Sequence, residues 1–152
     1  MPELTVKTTT NLARLFGSVV RRLANPALMA RIGNVLTFRI KDRTARGIDA
    51  HGQAFEPYSE DWADERAKRG RQTGHVDLNF SGAMWAGLHE DHTEDTVELF
   101  FQGFEATKAH GLNYGVRKNA FWGEVPQREF FAFNEHDENA MLREIVRSLR
   151  HG

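Results

Sequence analysis

Seven histidines, four serines and no cysteine in 152 residues are the places where chemistry would have to begin. The closest histidine pair is His89 and His92 in "HEDH". A metalloprotease-type zinc site sets two histidines four apart on one helical face with a glutamate between them. Here the spacing is three, in a stretch that reads as a strand, where positions i and i+3 point to opposite faces. Asp49 with His51, and His75 with Asp77, would face the same way in extended backbone. A metal-dependent hydrolase would therefore have to draw on His51, His75, His89 or His92, and exposed turn residues give the same pattern. The absence of cysteine removes disulfides, thiolate metal sites and cysteine nucleophiles together. Ser18, Ser59, Ser81 and Ser148 include no Gly-x-Ser-x-Gly elbow, and Ser59 and Ser81 read as a helix cap and a turn. "GLNYG" lacks the lysine of a phosphate loop and the third glycine of a dinucleotide fingerprint. "RIKDRTAR" and "RAKRGR" are locally basic but belong to no recognisable nucleic-acid module, and the pI is 6.7. The expectation is a protein without catalytic activity, cofactor or metal.

The elements that would position these residues follow from periodicity. Asn11 reads as the cap of a helix with Leu12, Leu15, Phe16, Val19, Val20 and Leu23 along one stripe. Asn25-Pro26 starts a second helix, with Leu28, Ile32, Val35, Leu36 and Ile40 on its buried side and Gly47 as its stop. "DAHGQ" has turn chemistry, and Pro57 biases Glu56 toward extended backbone. Ser59 caps a short helix from Glu60 to about Arg69, acidic at its start and basic at its end as the macrodipole favours. Ser81-Gly82 punctuates the chain before an apolar cluster of Met84, Trp85 and Leu88. "TVELFFQ" alternates with period two and pairs with "GLHEDH" as a hairpin. Residues 103 to 124 read as loop with at most one helical turn, "PQREFFAF" as strand-like, and Asn134 as the cap of a last helix through Met141, Ile145, Val146 and Leu149. The fold class expected is α+β: N-terminal helices, a small antiparallel sheet and a C-terminal helix. The length suits one domain over residues 1–152, with residues 1–25 an N-terminal helical extension.

No apolar run approaches the roughly 20 residues of a membrane span, and the first residues lack a signal-peptide pattern. This reading expects a soluble protein made in the cytoplasm. Charge is uneven: residues 1 to 75 hold 13 Lys and Arg against 8 Asp and Glu, residues 76 to 152 hold 7 against 13. Two accounts stay open, a basic face that docks on a neighbour's acidic one and ordinary solvated helix faces.

The order of the punctuation residues resembles the tailed-phage virion morphogenesis family, which includes the tail completion proteins of contractile-tailed phages. The match runs through the turn Gly47, Asp49 and Gly52, then Phe55, Pro57 and Ser59. It continues with Leu78, Ser81 and Gly82, then Ala109, Asn113, Tyr114 and Gly115, and ends on Pro126, Arg128 and Phe130 with Asp137 and Glu138 capping the last helix. It spans roughly residues 28 to 150. Ser81 keeps the hydroxyl of the more usual threonine, Leu112 stands where a histidine often sits, and Glu129 where a second proline is common.

The resemblance implies a structural virion protein in tail completion and head–tail joining, a tail terminator ring of about six copies at the head-proximal end of the tail. Its partners would be its own copies, the tail tube protein and the connector or neck proteins, with passive contact to DNA in the channel and none to membrane. A head-side closure or neck protein would share these features. Localisation would be the virion, at the tail or head–tail interface, after assembly in the bacterial cytoplasm. Tyr58, Trp62, Trp85, Tyr114, Trp122 and Arg128 are the candidate interface anchors, each of which could instead pack on its own core. Gly47, Asp49, Gly52, Pro57, Ser81, Gly82, Gly115 and Pro126 are the expected structural turns.

Overall fold

Asn25 opens the first long helix, its backbone extended at φ −156° and its side chain accepting from the Leu28 amide at 2.9 Å. Pro26 follows where a missing N–H costs nothing, and α1 runs Pro26–Ala45. A computed structural model of the chain describes residues 4–6, 25–117 and 124–151. The helix expected from Asn11, most of the proposed N-terminal extension and Trp122 lie outside the described residues. Leu28, Ile32, Leu36 and Ile40 are buried at steps of four, which is the stripe the sequence shows. The helix stops in a Schellman arrangement: Gly47 at φ +79° donates to the Thr44 carbonyl at 2.9 Å and Ile48 to that of Arg43 at 3.1 Å.

The sheet has three antiparallel strands, β1 (Leu4–Val6), β2 (Leu88–His92) and β3 (Val97–Phe101), in the order β1-β3-β2. The β2–β3 hairpin is the one expected, with Glu90 opposite Leu99 and Val97, Leu99 and Phe101 buried at period two. β1 was not anticipated, because three residues are too few to show a period. α1 packs against β2 and β3, and Gly33 makes the approach possible: a Cβ there would lie 2.6 Å from the Glu90 carboxyl. The last helix, Glu135–His151, packs beside α1 and runs antiparallel to it. Arg31 near the start of α1 reaches Glu144 and Ser148, while Arg39 and Arg43 near its end reach Asp137.

Among the described residues three shorter helices join this α+β architecture: α2 (Glu60–Lys68), α3 (Ala83–Ala86) and α4 (Gly103–Tyr114), with the last helix numbered α5. Two expectations need correction. Residues 103 to 124 were read as loop, but α4 is a 12-residue helix. It buries only Ala106, Ala109 and Asn113, a narrow stripe of small and polar side chains that hydropathy does not display, while Phe104 and Tyr114 face solvent. "PQREFFAF" was read as strand-like, yet it joins no ladder. Phe130 and Phe131 are adjacent and both fully buried, so the segment is a packed strap without strand alternation. Those two rings, with Phe101 and Trp85, form the aromatic centre of the core: Phe101 and Phe131 are 4.9 Å apart between centroids, Trp85 and Phe130 5.5 Å.

Candidate functional site

The loop that follows α1 is built around one carboxylate. Asp49 Oδ1 accepts from the His51 amide at 2.8 Å and the Gln53 amide at 2.7 Å, and the Asp49 amide donates to the Gln53 carbonyl at 2.8 Å. Gly52 at φ +83° closes the turn, and the Phe55 amide returns to the Gly47 carbonyl at 2.9 Å. The loop then docks on the strap. The Ala50 amide donates to the Glu129 carbonyl at 2.8 Å, Asn134 Nδ2 donates to the Ala50 carbonyl at 2.9 Å, and Phe55 is buried.

Three buried arginines hold the loops in place. Arg128 donates through Nε and Nη2 to the Glu56 and Pro57 carbonyls at 3.0 to 3.2 Å, and its own amide donates to the Leu112 carbonyl at 2.8 Å. Arg66, the one inward side chain of α2, donates to the carbonyls of Gln72 and Asn79 and to Asp77 Oδ1 at 3.0 Å. Its guanidinium lies 4.5 Å from the centre of the Tyr58 ring, which has Arg128 5.7 Å from its centroid. Arg43 donates to Asp137 Oδ2 at 2.9 Å and to the Phe130 and Ala132 carbonyls. Arg39 meets the other oxygen of Asp137 at 2.6 Å. Asn134 and Asp137 also exchange amide-to-side-chain bonds at 3.1 and 3.0 Å, a reciprocal cap on α5.

The environment moves the titrating groups of this cluster. Burial pushes the Asp77 carboxyl up, but the Gln72 side chain, the Asn79 amide, the Arg66 charge and the Tyr58 hydroxyl together outweigh it and hold the carboxyl below its ordinary 3.8. Burial first, then the Asp77 charge, raises the Tyr58 phenol above 10.0. Burial lowers Arg128, opposed by Tyr58 and Glu56, and the guanidinium stays charged. Arg43 and Arg66 escaped the sequence reading. The available signal was positional: Arg43 continues the α1 stripe three residues past Ile40.

Of the expected anchors, the structure packs Tyr58, Trp85 and Arg128 within the chain and leaves Trp62 and Tyr114 at the surface, 39% and 54% exposed. Trp62 leans on Phe80 with centroids 5.0 Å apart, and Tyr114 lies beside His110 at 4.8 Å. Phe38 and Phe104 are more exposed still, and sequence reasoning named neither. Among the expected turns, Gly47, Gly52, Gly82 and Gly115 all have positive φ. Gly115 is the most demanding: at φ 76°, ψ 161° it occupies a region essentially closed to other residues, and a Cβ would lie 3.0 Å from the Gln127 amide nitrogen. Ser81 Oγ accepts from the Ala83 amide at 3.3 Å, Pro57 supplies a carbonyl to Arg128, and Pro126 is half-buried on the strap.

The histidines are dispersed among different partners. His51 Nε2 meets Glu129 Oε2 at 2.8 Å; this hydrogen bond, then the Glu129 charge, raises its pKa above 6.5. His75 Nε2 donates to the Ala45 carbonyl at 2.7 Å, His89 stacks on Phe100, and His92 Nδ1 meets Glu90 at 2.8 Å. Among the described residues no three His, Asp or Glu side chains gather where they could hold a metal ion, and no helix is long and apolar enough to cross a membrane.

A model of the phage virion morphogenesis family matches residues 7–150, and the chain belongs to that family. No curated protein and no solved structure matches it. The family assigns the chain to the building of the phage particle.

Proposed function

We propose that this family member is a structural protein that completes the tail and joins it to the head, as a tail terminator ring of about six copies at the head-proximal end of the tail tube. It acts by contact and carries out no catalysis. The observation that carries the proposal is the family match over residues 7–150 of a chain in which several recognisable motif residues fix one loop. Gly47, Asp49, Gly52 and Arg128 lock the 47–58 loop against the strap. Such stapled loops keep a docking surface in one shape, so association does not have to order them first. The uneven charge along the chain and the exposed Trp62 and Tyr114 support a head-to-tail contact between copies. Its partners are then its own copies, the tail tube protein and the connector or neck proteins, with DNA passing through the lumen.

The test is to label the chain in infected cells and separate tails from heads. Recovery at one end of isolated tails supports the proposal. Recovery on heads alone makes it a closure or neck protein, and absence from both particles overturns it. Within the same system Trp62→Ala should reduce joined particles while the purified chain keeps its melting temperature.

A further inference from the structure

α5 carries more arginine than its packing uses. Arg39 of α1 and Arg143, Arg147 and Arg150 of α5 line a groove of about 650 Å³, together with the apolar Leu142 and Val146. Arg143 and Arg150 are exposed and make no ion pair among the described residues. Arg147, also exposed, pairs with Glu144, and Arg39 shares the buried Asp137 with Arg43. No carboxylate of the described residues lines the groove; the exposed Glu135 and Glu138 stand outside it, in the first turn of α5. The helix macrodipole accounts for arginines in the last turn, but its influence fades within that turn. It leaves Arg39 on α1, and Arg143 two turns earlier, without a reason.

The spacing indicates what such a groove holds. Positions 143, 147 and 150 are four and three apart, so they share one side of the helix and rise along it in steps of about 6 and 4.5 Å. A row of arginines is matched by a row of anions. The phosphodiester backbone of nucleic acid is such a row, with no cation set between its charges, and a guanidinium fork binds phosphate oxygens through two N–H groups at once. Leu142 and Val146 have no donor or acceptor with which to read a base edge, so the contact is with the backbone and blind to sequence. A net charge of −1 gives the molecule as a whole no general attraction for DNA. The contact is therefore local and weak, which suits DNA that has to pass the protein.

We infer that this groove holds the phosphate backbone of double-stranded DNA, whatever its sequence. That α5 then faces the channel rests on the ring reading; the binding itself does not. Fluorescence anisotropy of a short labelled duplex, titrated with the purified full chain from low to moderate salt, tests it. The plot of log affinity against log salt should have a slope of about −1.8 if only the two unpaired arginines meet phosphates, and about −3.6 if all four do. Arg143→Gln/Arg150→Gln should weaken binding about tenfold or more and flatten the slope by about 1.8. Lys68→Gln/Arg71→Gln removes the same charge from exposed positions of the other basic stretch and should leave binding unchanged. Circular dichroism melts serve as the folding control, and duplexes of unrelated sequence should bind alike.

A wild type that ignores the duplex at low salt overturns the inference, as does equal loss in the two variants. Preference for polyglutamate over the duplex also overturns it and gives the groove to an acidic protein. The two readings fail separately. A chain found on tails that does not bind the duplex ends the groove assignment and leaves the ring; a chain found only on heads that binds it through Arg143 and Arg150 ends the ring and upholds the groove.

Discussion

Asp137→Ala should be the most destabilising single change on α5. Its carboxylate is fully buried and takes Arg39 at 2.6 Å, Arg43 at 2.9 Å and the Asn134 amide at 3.1 Å. Removing one partner of a buried ion pair typically costs about 3–5 kcal/mol, because the remaining charge stays desolvated. Arg43 keeps two carbonyl acceptors and Arg39 is partly exposed, which favours the lower half of that range. Loss of the reciprocal cap adds about 1 kcal/mol, so about 4 kcal/mol in total is expected. For a chain of this size that lowers the melting temperature by about 8–16 °C. Glu138→Ala, one residue on and exposed, should change stability by less than about 0.5 kcal/mol. Urea denaturation followed by tryptophan fluorescence measures both. A double-mutant cycle with Arg43→Met then isolates the pair, and the two costs should not add. A cost for Asp137→Ala below about 1 kcal/mol, or strict additivity with Arg43→Met, would refute the account of Arg43 and Asp137 as one buried unit.

The remaining predictions concern the loops. Because the Asp77 pKa is depressed in the fold below 3.8, its contribution is complete above the unfolded carboxylate value and lost as pH falls through the folded one. Stability measured from pH 5 down to 2 should therefore drop less steeply in Asp77→Asn, and an unchanged slope would remove the Arg66–Asp77 pair from the explanation. His51 has the opposite sign: its pKa is raised, so its contribution is complete below the unfolded value and fades as pH rises through the folded one. An NMR titration should place it above 6.5, and Glu129→Gln should bring it back toward that value; an unmoved midpoint would rule out the Glu129 contact as the cause. Gly115→Ala should cost about 2–3 kcal/mol, from a backbone region closed to alanine and a crowded Cβ. Gly52→Ala, with open space around its Cβ, should cost only about 1–2 kcal/mol. Equal melting temperatures for the two variants would contradict the role given to the Gly115 geometry.

What the sequence made legible follows from where the physics is local. The Asn25 cap, the Leu28 to Ile40 stripe, the Gly47 stop and the β2–β3 alternation all depend on neighbours within a few residues, and all are in the structure. α4 was missed because its helix is held by Ala106, Ala109 and Asn113, and small residues leave no hydrophobic signal. Asn113 is there to serve a distant group, accepting from the Phe131 amide at 2.9 Å across 18 residues. The arginine staples were illegible for the same reason. Arg43 and Asp137 are 94 positions apart, Arg128 and Glu56 72, and nothing local marks a charged side chain that will be buried by a remote partner. Tyr58 shows the ambiguity most plainly: tyrosine beside arginine is the signature of an interface anchor and equally of a loop staple, and here Arg66 and Arg128 claim both the ring and its surroundings.

The residues that identify the family and the residues proposed to join copies therefore separate in space. Gly47, Asp49, Gly52, Pro57 and Arg128 converge on one seam between the 47–58 loop and the strap, where each meets a backbone partner or a backbone requirement. Such positions tolerate little, since glycine geometry and buried guanidinium bonds have few substitutes. The exposed Glu, Asp and Arg of α2 and α5 meet no such backbone requirement. Changes at the seam should then lower the melting temperature before they lower assembly. Charge reversals at the exposed Glu60, Asp61, Arg143 and Arg150 should leave the melting temperature within the small range of ordinary surface changes.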